Sequence, residues 1–233
     1  GHQYLTVVDG IAKSDNILMT KLGLKLGPER LYEWVKLFGF GQVTGIELPG
    51  EDGGIVLPKR KWNHIGSCMS VPMGHELAVT PLQMVMMHAA VANGGTWHPP
   101  RLIHSIYRVN PETGLKELVA LDKPPASRRI FSEEDARQIR LAMNQTMETG
   151  TGRNMAFSNY TSAGKTGTTE KLIDQEVNGR VRKVYSKDNH IGSFICFAPA
   201  SDQAKTEFVC LAVIDDPQEN GHYGSQTAGP IVN

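Results

Sequence analysis

HIGSFICFA (residues 190–198) and EFVCLAVI (residues 207–214) decide the fold class, because both stretches are short, apolar and rich in Phe, Ile, Val and Cys. Such runs are typical of buried β-strands. A short polar turn around Asp202 separates them, and residues 162–169 form a third candidate strand upstream. The sequence therefore predicts an antiparallel sheet in the last third of the chain.

Helices are predicted upstream of these strands. The segment TPLQ (residues 80–83) has a threonine N-cap, a proline at the first helical position and a glutamine at the third, which predicts a helix over residues 80–93. Ser132 and Asp135 begin a second helix that ends at Gly150. No internal repeat divides the chain. We therefore expect one α/β (α+β) domain over residues 1–233, an antiparallel sheet flanked by helices.

The other segments are predicted from their turn residues. The first helix is expected to start at Gly27-Pro28, and residues 39–76 are expected to form a long ordered loop because glycine and proline are so frequent there. Residues 102–109 are predicted to pair with residues 115–121 across the intervening turn.

Charge and composition exclude several classes of function. Lys plus Arg and Asp plus Glu each total 24 among the 233 residues, so no overall field attracts nucleic acid or an anionic membrane. The longest apolar run has seven residues, far fewer than the ~20 that a membrane-spanning helix needs. The eight histidines lack metal-ligand spacing, so no metal and no cofactor is expected, and His64, His75 and His88 are interpreted as packing or rim residues. A disulfide between Cys196 and Cys210 is less favoured than two buried thiols.

Two short motifs carry chemistry. In Lys165-Thr166-Gly167-Thr168, a cation and a hydroxyl on adjacent strand residues can bind a carboxylate from two directions, and Gly167 leaves room for an extended peptide. In Ser14-Asp15-Asn16, a hydroxyl can pass a proton and an amide can hold a substrate carbonyl. The alternative is that Ser14 is a helix cap and Lys165 a solvated strand residue.

Taken in order along the chain, seven segments resemble the transpeptidase domain of class B penicillin-binding proteins, which has the fold shared with serine β-lactamases. The Phe-Gly-Phe-Gly and Leu-Pro-Gly-Glu sequences are similar to the division-specific branch. The segments are Ala12–Asn16, Leu26–Leu31, Phe38–Gly41, Thr44–Glu51, Val79–Gln83, Ala92–Gly95 and Gly164–Thr168.

The resemblance implies a serine D,D-transpeptidase that cross-links peptidoglycan stem peptides ending in D-Ala-D-Ala and is acylated by β-lactam antibiotics. It implies that Ser14, Asn16 and Lys165 are catalytic and that Thr166, Gly167 and Thr168 bind substrate, with the Thr168 N–H as half of an oxyanion hole. It also implies a parent protein on the extracytoplasmic (periplasmic) face of the cytoplasmic membrane, held there by an N-terminal helix, with membrane cell-wall synthesis proteins as partners.

One departure concerns the nucleophile, which in this family is the serine of a Ser-x-x-Lys motif well upstream of Ser-x-Asn. The only Ser-x-x-Lys here is Ser162–Lys165, which shares its lysine with the strand motif and is interpreted as a coincidence. We therefore expect a partial domain that is inactive by itself and that self-associates to cover an apolar face. The alternatives are a class A β-lactamase, whose Glu-x-x-Leu-Asn segment is absent from the sequence, and a non-catalytic scaffolding module.

Overall fold

The structure is a computed structural model that describes residues 4–119, 126–202, 204–219 and 221–232. Its α-helices are α1 (Val7–Ala12), α2 (Asn16–Leu26), α3 (Pro28–Leu37), α4 (Gly66–Ser70), α5 (Pro81–Ala92), α6 (Glu133–Glu148), α7 (Gly224–Thr227) and α8 (Gly229–Val232). Its strands are β1 (Ile55–Val56), β2 (Leu77–Ala78), β3 (Thr96–Trp97), β4 (Ile106–Val109), β5 (Lys116–Val119), β6 (Arg128–Arg129), β7 (Ala163–Val177), β8 (Arg180–Ala198) and β9 (Phe208–Asp215).

The main sheet is antiparallel and three-stranded, in the order β7-β8-β9. All three predicted strands are present, so the predicted fold class is confirmed. Two of them are much longer than predicted, because β7 and β8 continue outward as a hairpin that turns at Asn178 and Gly179. The polar residues of this extension give no apolar run, which is why the sequence did not indicate it.

Both faces of the sheet are covered. Phe194 and Phe197 are three positions apart on β8, so they point to opposite faces, and both have no exposed surface. Phe197 lies in a core with side chains from α5 and α6, whereas Phe194 packs with Met147, Met155 and Ala228. Burial on both sides places the C-terminal part of β8 in the centre of the fold.

The N-terminal region differs from the prediction, because two helices precede the predicted start at Gly27-Pro28. Thr6 and Asp9 form a capping box that begins α1, and the Asp15 carboxylate accepts a 2.7 Å hydrogen bond from the Leu18 N–H at the start of α2. Gly27 ends α2 and is also the N-cap of α3, so the predicted boundary itself is correct.

Residues 39–76 are ordered but are not simply a loop. They contain β1, α4 and two 3₁₀ turns, at Lys59–Lys61 and Val71–Met73. The buried Gln83 side chain organises the segment, since its Nε2 donates to the carbonyls of Gln42 and Gly53 at 2.8 Å each. These bonds satisfy backbone groups that a buried loop otherwise leaves unpaired.

The other predicted elements are present with shifted ends. The helices α5 and α6 begin at the predicted caps, Thr80 and Ser132, and each has a capping box. The predicted ribbon is confirmed for Ile106–Val109 with Lys116–Val119; residues 102–105 are not strand, and residues 120 and 121 lie outside the described residues. Among the described helices, none combines the length and the apolar character needed to cross a membrane.

Candidate active site

Ser14 occupies the tight turn between α1 and α2. Its φ is +54°, a left-handed conformation that costs a non-glycine residue about 1–3 kcal/mol. The turn is held by backbone bonds from the Asp15 N–H to the Gly10 carbonyl at 2.8 Å and from the Ser14 N–H to the Ile11 carbonyl at 3.2 Å. Gly10 permits this packing, because a Cβ there would lie 2.1 Å from the Leu18 side chain. The surrounding backbone therefore fixes the direction of the Ser14 hydroxyl.

Lys165 meets this turn from the sheet. Its ammonium nitrogen donates to Ser14 Oγ and, at 2.9 Å, to the Thr166 carbonyl. Burial lowers the pKa of Lys165 from 10.5 to about 8, because the ammonium ion loses part of its hydration and the charged form becomes less favourable. Lys165 is therefore not a freely solvated strand residue, because its amine bonds to Ser14. Ser14 is not the cap of α2, because Asp15 is. A lysine with this pKa can give or accept a proton near neutral pH.

The segment after α6 joins the Ser14 turn to the strand, and no sequence motif indicated it. The Thr151 N–H donates to the Ala12 carbonyl at 3.1 Å, and its hydroxyl pairs with the Thr166 hydroxyl at 2.7 Å. Gly150 allows the approach, because a Cβ there would lie 2.2 Å from the Ala12 carbonyl oxygen. Thr151 therefore contacts both parts of the site. It bonds to Ala12, two residues before Ser14, and to Thr166, one residue after Lys165.

The remaining strand-motif residues are held by α7. The Gly224 N–H donates to Thr168 Oγ1 at 3.0 Å, and a Cβ on Gly224 would lie 2.3 Å from the Gly167 carbonyl oxygen. A Cβ on Gly167 would lie 2.5 Å from Ser193 Oγ on the neighbouring strand. The glycine at 167 thus makes room for Ser193 of β8, a local role that the sequence did not indicate.

Asn16 is the first residue of α2 and is exposed, and its side chain bonds to no residue that the structure describes. The structure thus joins Lys165 directly to Ser14 and to the Thr166 carbonyl, whereas the Asn16 side chain, two residues from Ser14, has no hydrogen bond to Lys165.

The edge of β7 is open to a ligand. Within the described chain, β7 pairs only with β8, so alternate residues of Lys165–Thr168 direct their N–H and C=O groups to the other edge, where the Thr166 carbonyl accepts from Lys165 Nζ. A free edge of this kind binds an extended peptide as an added strand. Lys165 and the Thr166 hydroxyl lie on this strand, and a neighbouring cation and hydroxyl are groups that can bind a carboxylate.

The side chains of His88, Cys196 and Cys210 lie near the sheet without joining the Ser14–Lys165 site. His88 is buried and bonds through Nδ1 to the Met84 carbonyl at 2.8 Å, and burial lowers its pKa to about 4, so it is neutral at pH 7. Cys196 and Cys210 are directly opposite on β8 and β9 and are free thiols, as favoured. Only Cys196 is buried, however, whereas Cys210 on β9 is exposed, so the expectation of two buried thiols is wrong for Cys210.

The chain matches the family model described as "Penicillin binding protein transpeptidase domain" over residues 1–233. It is 36% identical over 232 residues to Stage V sporulation protein D of Bacillus subtilis, covering 100% of this chain and 33% of that protein. It is 33% identical over 220 residues to the probable peptidoglycan D,D-transpeptidase PenA of Neisseria meningitidis, covering 94% of this chain and 33% of that protein. The chain thus spans about a third of the length of these relatives.

Solved structures show the same fold. The ampicillin complex of penicillin-binding protein 3 from Mycobacterium tuberculosis superposes with a TM-score of 0.81 at 30% identity, covering 97% of this chain and 49% of that one. The transpeptidase domain of Burkholderia pseudomallei penicillin-binding protein 3 gives 0.76 at 28% identity, covering 98% and 61%. With the predicted class B motifs and a family match along its whole length, this chain belongs to the penicillin-binding protein transpeptidase family.

Proposed function

We propose that these residues form the substrate-holding part of a peptidoglycan D,D-transpeptidase. The observation that carries the proposal is the bond between Lys165 on the open edge of β7 and Ser14 in its constrained turn. The PenA relative is a probable peptidoglycan D,D-transpeptidase, and the M. tuberculosis protein has been crystallised with aztreonam and with ampicillin. The site therefore takes a peptide that ends in a carboxylate, or a β-lactam that carries one.

Each residue has a role that follows from its position. Lys165 and the Thr166 hydroxyl bind the substrate carboxylate, and the Thr168 N–H supplies one oxyanion donor at the strand edge. Ser14 passes a proton to or from Lys165, whose pKa of about 8 suits transfer in both directions. Asn16, exposed at the start of α2, presents its amide to the substrate carbonyl.

The acyl-transfer step itself needs a serine nucleophile. Its hydroxyl oxygen attacks the penultimate D-Ala carbonyl, the peptide C–N bond breaks, and the serine proton leaves on the released D-Ala amine. The amine of a second stem peptide then attacks the ester and restores the serine hydroxyl. Ser162 does not suit this role, because it is buried and its backbone carbonyl is bonded to the Asn144 amide at 2.9 Å. We propose that a Ser-x-x-Lys segment outside these residues supplies the nucleophile, so this chain alone is not acylated.

The setting of the parent protein is also a proposal. We place it on the extracytoplasmic face of the membrane, held by an N-terminal helix, in the division-specific branch, with membrane cell-wall synthesis proteins as partners. The isolated 233 residues are expected to self-associate, which light scattering can measure; a stable monomer with a cooperative melt would contradict this.

Two readouts on the same sample test the assignment. Intact-mass spectrometry after incubation with ampicillin should show no stoichiometric adduct, whereas titration should show weak, reversible binding with a Kd of about 1 mM, weakened at least about tenfold in Lys165→Ala. Lys171→Ala is the matched control, because Lys171 lies on the same strand but pairs with Asp215 at 2.7 Å.

An ampicillin adduct on Ser14 or Ser162 would show that the chain carries its own nucleophile. Equal binding by the wild type and Lys165→Ala would remove Lys165 from the site. Sustained hydrolysis of a chromogenic cephalosporin would instead identify a β-lactamase.

A further inference from the structure

A cavity lies apart from the Lys165–Ser14 site and shares no residue with it. It has a volume of about 240 Å³ and opens beside the end of α3, the start of α5 and the short β3–β6 ribbon. The lining residues that matter for recognition are Phe38, Gly39, Gln42, Met86, Trp97 and Arg128. Apolar walls with a few convergent polar groups are the usual make-up of a small-molecule site.

Trp97 carries an unpaired donor in this cavity. The side chain belongs to the core and the residue is only 7% exposed, yet its indole N–H has no hydrogen-bond partner among the described residues. Trp62 shows the ordinary situation, since its indole N–H donates to the Leu57 carbonyl at 2.9 Å. An unpaired buried N–H is costly, so a native structure that keeps one has a partner for it elsewhere.

Arg128 brings a cation to the same place. Its guanidinium carbon lies 4.0 Å from the centre of the Trp97 ring, and its Nη2 donates to the Leu37 carbonyl at 3.1 Å. Within the described ranges, no carboxylate lies within 4.0 Å of it, in contrast to the adjacent Arg129, which pairs with Glu133. The Arg128 side chain is half-buried, and this burial lowers the pKa of its guanidinium. A partly buried cation without an anion favours an anionic ligand.

The two donors converge at Gly39. A Cβ atom built on Gly39 would lie 3.4 Å from Arg128 Nη2 and 3.8 Å from the Trp97 indole nitrogen. Because residue 39 has no side chain, this point is open within the cavity lining. A ligand oxygen in van der Waals contact with this face of Gly39 would border both the guanidinium and the indole nitrogen, which are the two donors that it could accept from.

We propose that this cavity binds a small amphiphilic carboxylate, with one carboxylate oxygen between Arg128 and Trp97 and an apolar body against Phe38 and Met86. Arg128 is the one charged side chain among the described lining residues, and a single guanidinium matches the charge of one carboxylate better than that of a multiply charged phosphate. The volume is below the roughly 300–1,000 Å³ of drug-sized ligand sites, which limits the ligand to a compact monocarboxylate.

The test follows the indole N–H resonances of the ¹⁵N-labelled chain while benzoate is added. Benzamide, of nearly equal shape but neutral, is titrated in parallel. The chain has three tryptophans, and Trp97→Phe identifies the Trp97 resonance. We expect benzoate to move the Trp97 resonance saturably and to leave Trp62 unchanged, and benzamide to bind at least about tenfold more weakly. Arg128→Leu should weaken benzoate binding at least tenfold, Arg128→Lys should weaken it less, and Arg129→Leu, the matched control, should change it less than about twofold.

Several results would overturn the proposal. They are an unmoved Trp97 resonance at about 20 mM benzoate, equal binding of benzoate and benzamide, and unchanged binding in a folded Arg128→Lys together with Arg128→Leu. Asp122 lies outside the described residues and is the nearest acidic residue before Arg128 in sequence. Benzoate binding that appears only in Asp122→Asn would assign the site to the chain's own carboxylate and would also reject the proposal.

Discussion

The β7–β8 hairpin is one continuous antiparallel pair, but its two halves are stabilised differently. In the inner half, residues 163–170 pair with residues 190–197, and Phe194, Cys196 and Phe197 have no exposed surface. In the outer half, residues 172–177 pair with residues 180–185 and the side chains lie mostly in solvent; Val181 is 71% exposed. A register shift between Glu170 and Leu172 separates the halves.

The difference shows what a functional strand needs. Lys165 lies in the inner half, where packing on both faces and the Ser14 turn determine its position. The outer half has only the backbone ladder, exposed ion pairs such as Asp174–Lys183 at 2.9 Å, and an edge contact between Tyr185 and His75 at 5.5 Å. Two-stranded ribbons without a covered face are marginally stable. We therefore expect function and stability to be sensitive to changes in the inner half and tolerant of changes in the outer half.

The largest expected effect is that of Phe194→Ala. Removing a fully buried ring from the inner half should lower the free energy of unfolding by about 3–5 kcal/mol, measured by urea denaturation. Leu172→Ala, at a position 54% exposed in the outer half, should cost less than about 1 kcal/mol. Similar losses in the two variants would contradict the distinction between the halves.

The next effect is a dependence of stability on pH. The pKa of Lys165 is about 8 in the folded chain and 10.5 ordinarily, so between these values the unfolded chain binds more protons. The free energy of unfolding therefore rises as the pH increases from 8 to 10.5. Below pH 8 the full free-energy cost of burying the charged Lys165 amine is present. Relative to Lys165→Met, the wild type should gain about 1–3 kcal/mol between pH 8 and pH 10.5. A constant difference across that range would show that Lys165 is not buried.

A smaller effect is expected for Thr151→Val, which removes the hydroxyl bonded to Thr166 while keeping the side-chain shape. An exposed hydrogen bond of this kind is worth about 0.5–1 kcal/mol. Thr169→Val is the control, because the Thr169 hydroxyl bonds only to the adjacent Glu170 carbonyl. If Thr151 links the Ser14 turn to the strand, its variant should also weaken ampicillin binding, and the control should not.

The smallest effect should come from Asp174→Asn in the outer half. Both partners of its ion pair with Lys183 are largely exposed, and such pairs contribute less than about 1 kcal/mol. Thermal melts at low and high salt should therefore nearly coincide with those of the wild type. A large loss would show that the outer half is part of the cooperative core.

The same contrast explains how far the sequence predicts this molecule. Apolar runs indicated residues 190–198 and 207–214 as strands, and local capping motifs placed α5 and α6, because burial and caps are encoded near the residues that need them. The outer half was missed because its residues are polar. The helix α1 was also missed, although Thr6 and Asp9 carry a capping motif that could have indicated it.

For the site, the motifs at 14–16 and 165–168 were assigned through resemblance to a family, and neither periodicity nor composition brings them together. The contacts of Thr151 with Ala12 and Thr166 depend on the tertiary approach of α6 to both segments, which no local pattern contains. The packing of Ser193 against Gly167 is equally a cross-strand property. These contacts form only when the strands and α6 are assembled in the folded chain.

The central claim is that the folded chain buries Lys165 against the Ser14 turn, and a pH titration of this one amine tests it most directly. With ¹³C-labelled lysine, the Lys165 Cε resonance can be assigned by Lys165→Arg and followed by NMR from pH 6 to pH 12. The account predicts a pKa of about 8, well below the lysines in solvent. A Lys165 pKa near the ordinary value of about 10.4 would contradict it, because the amine would then be solvated and the site not assembled.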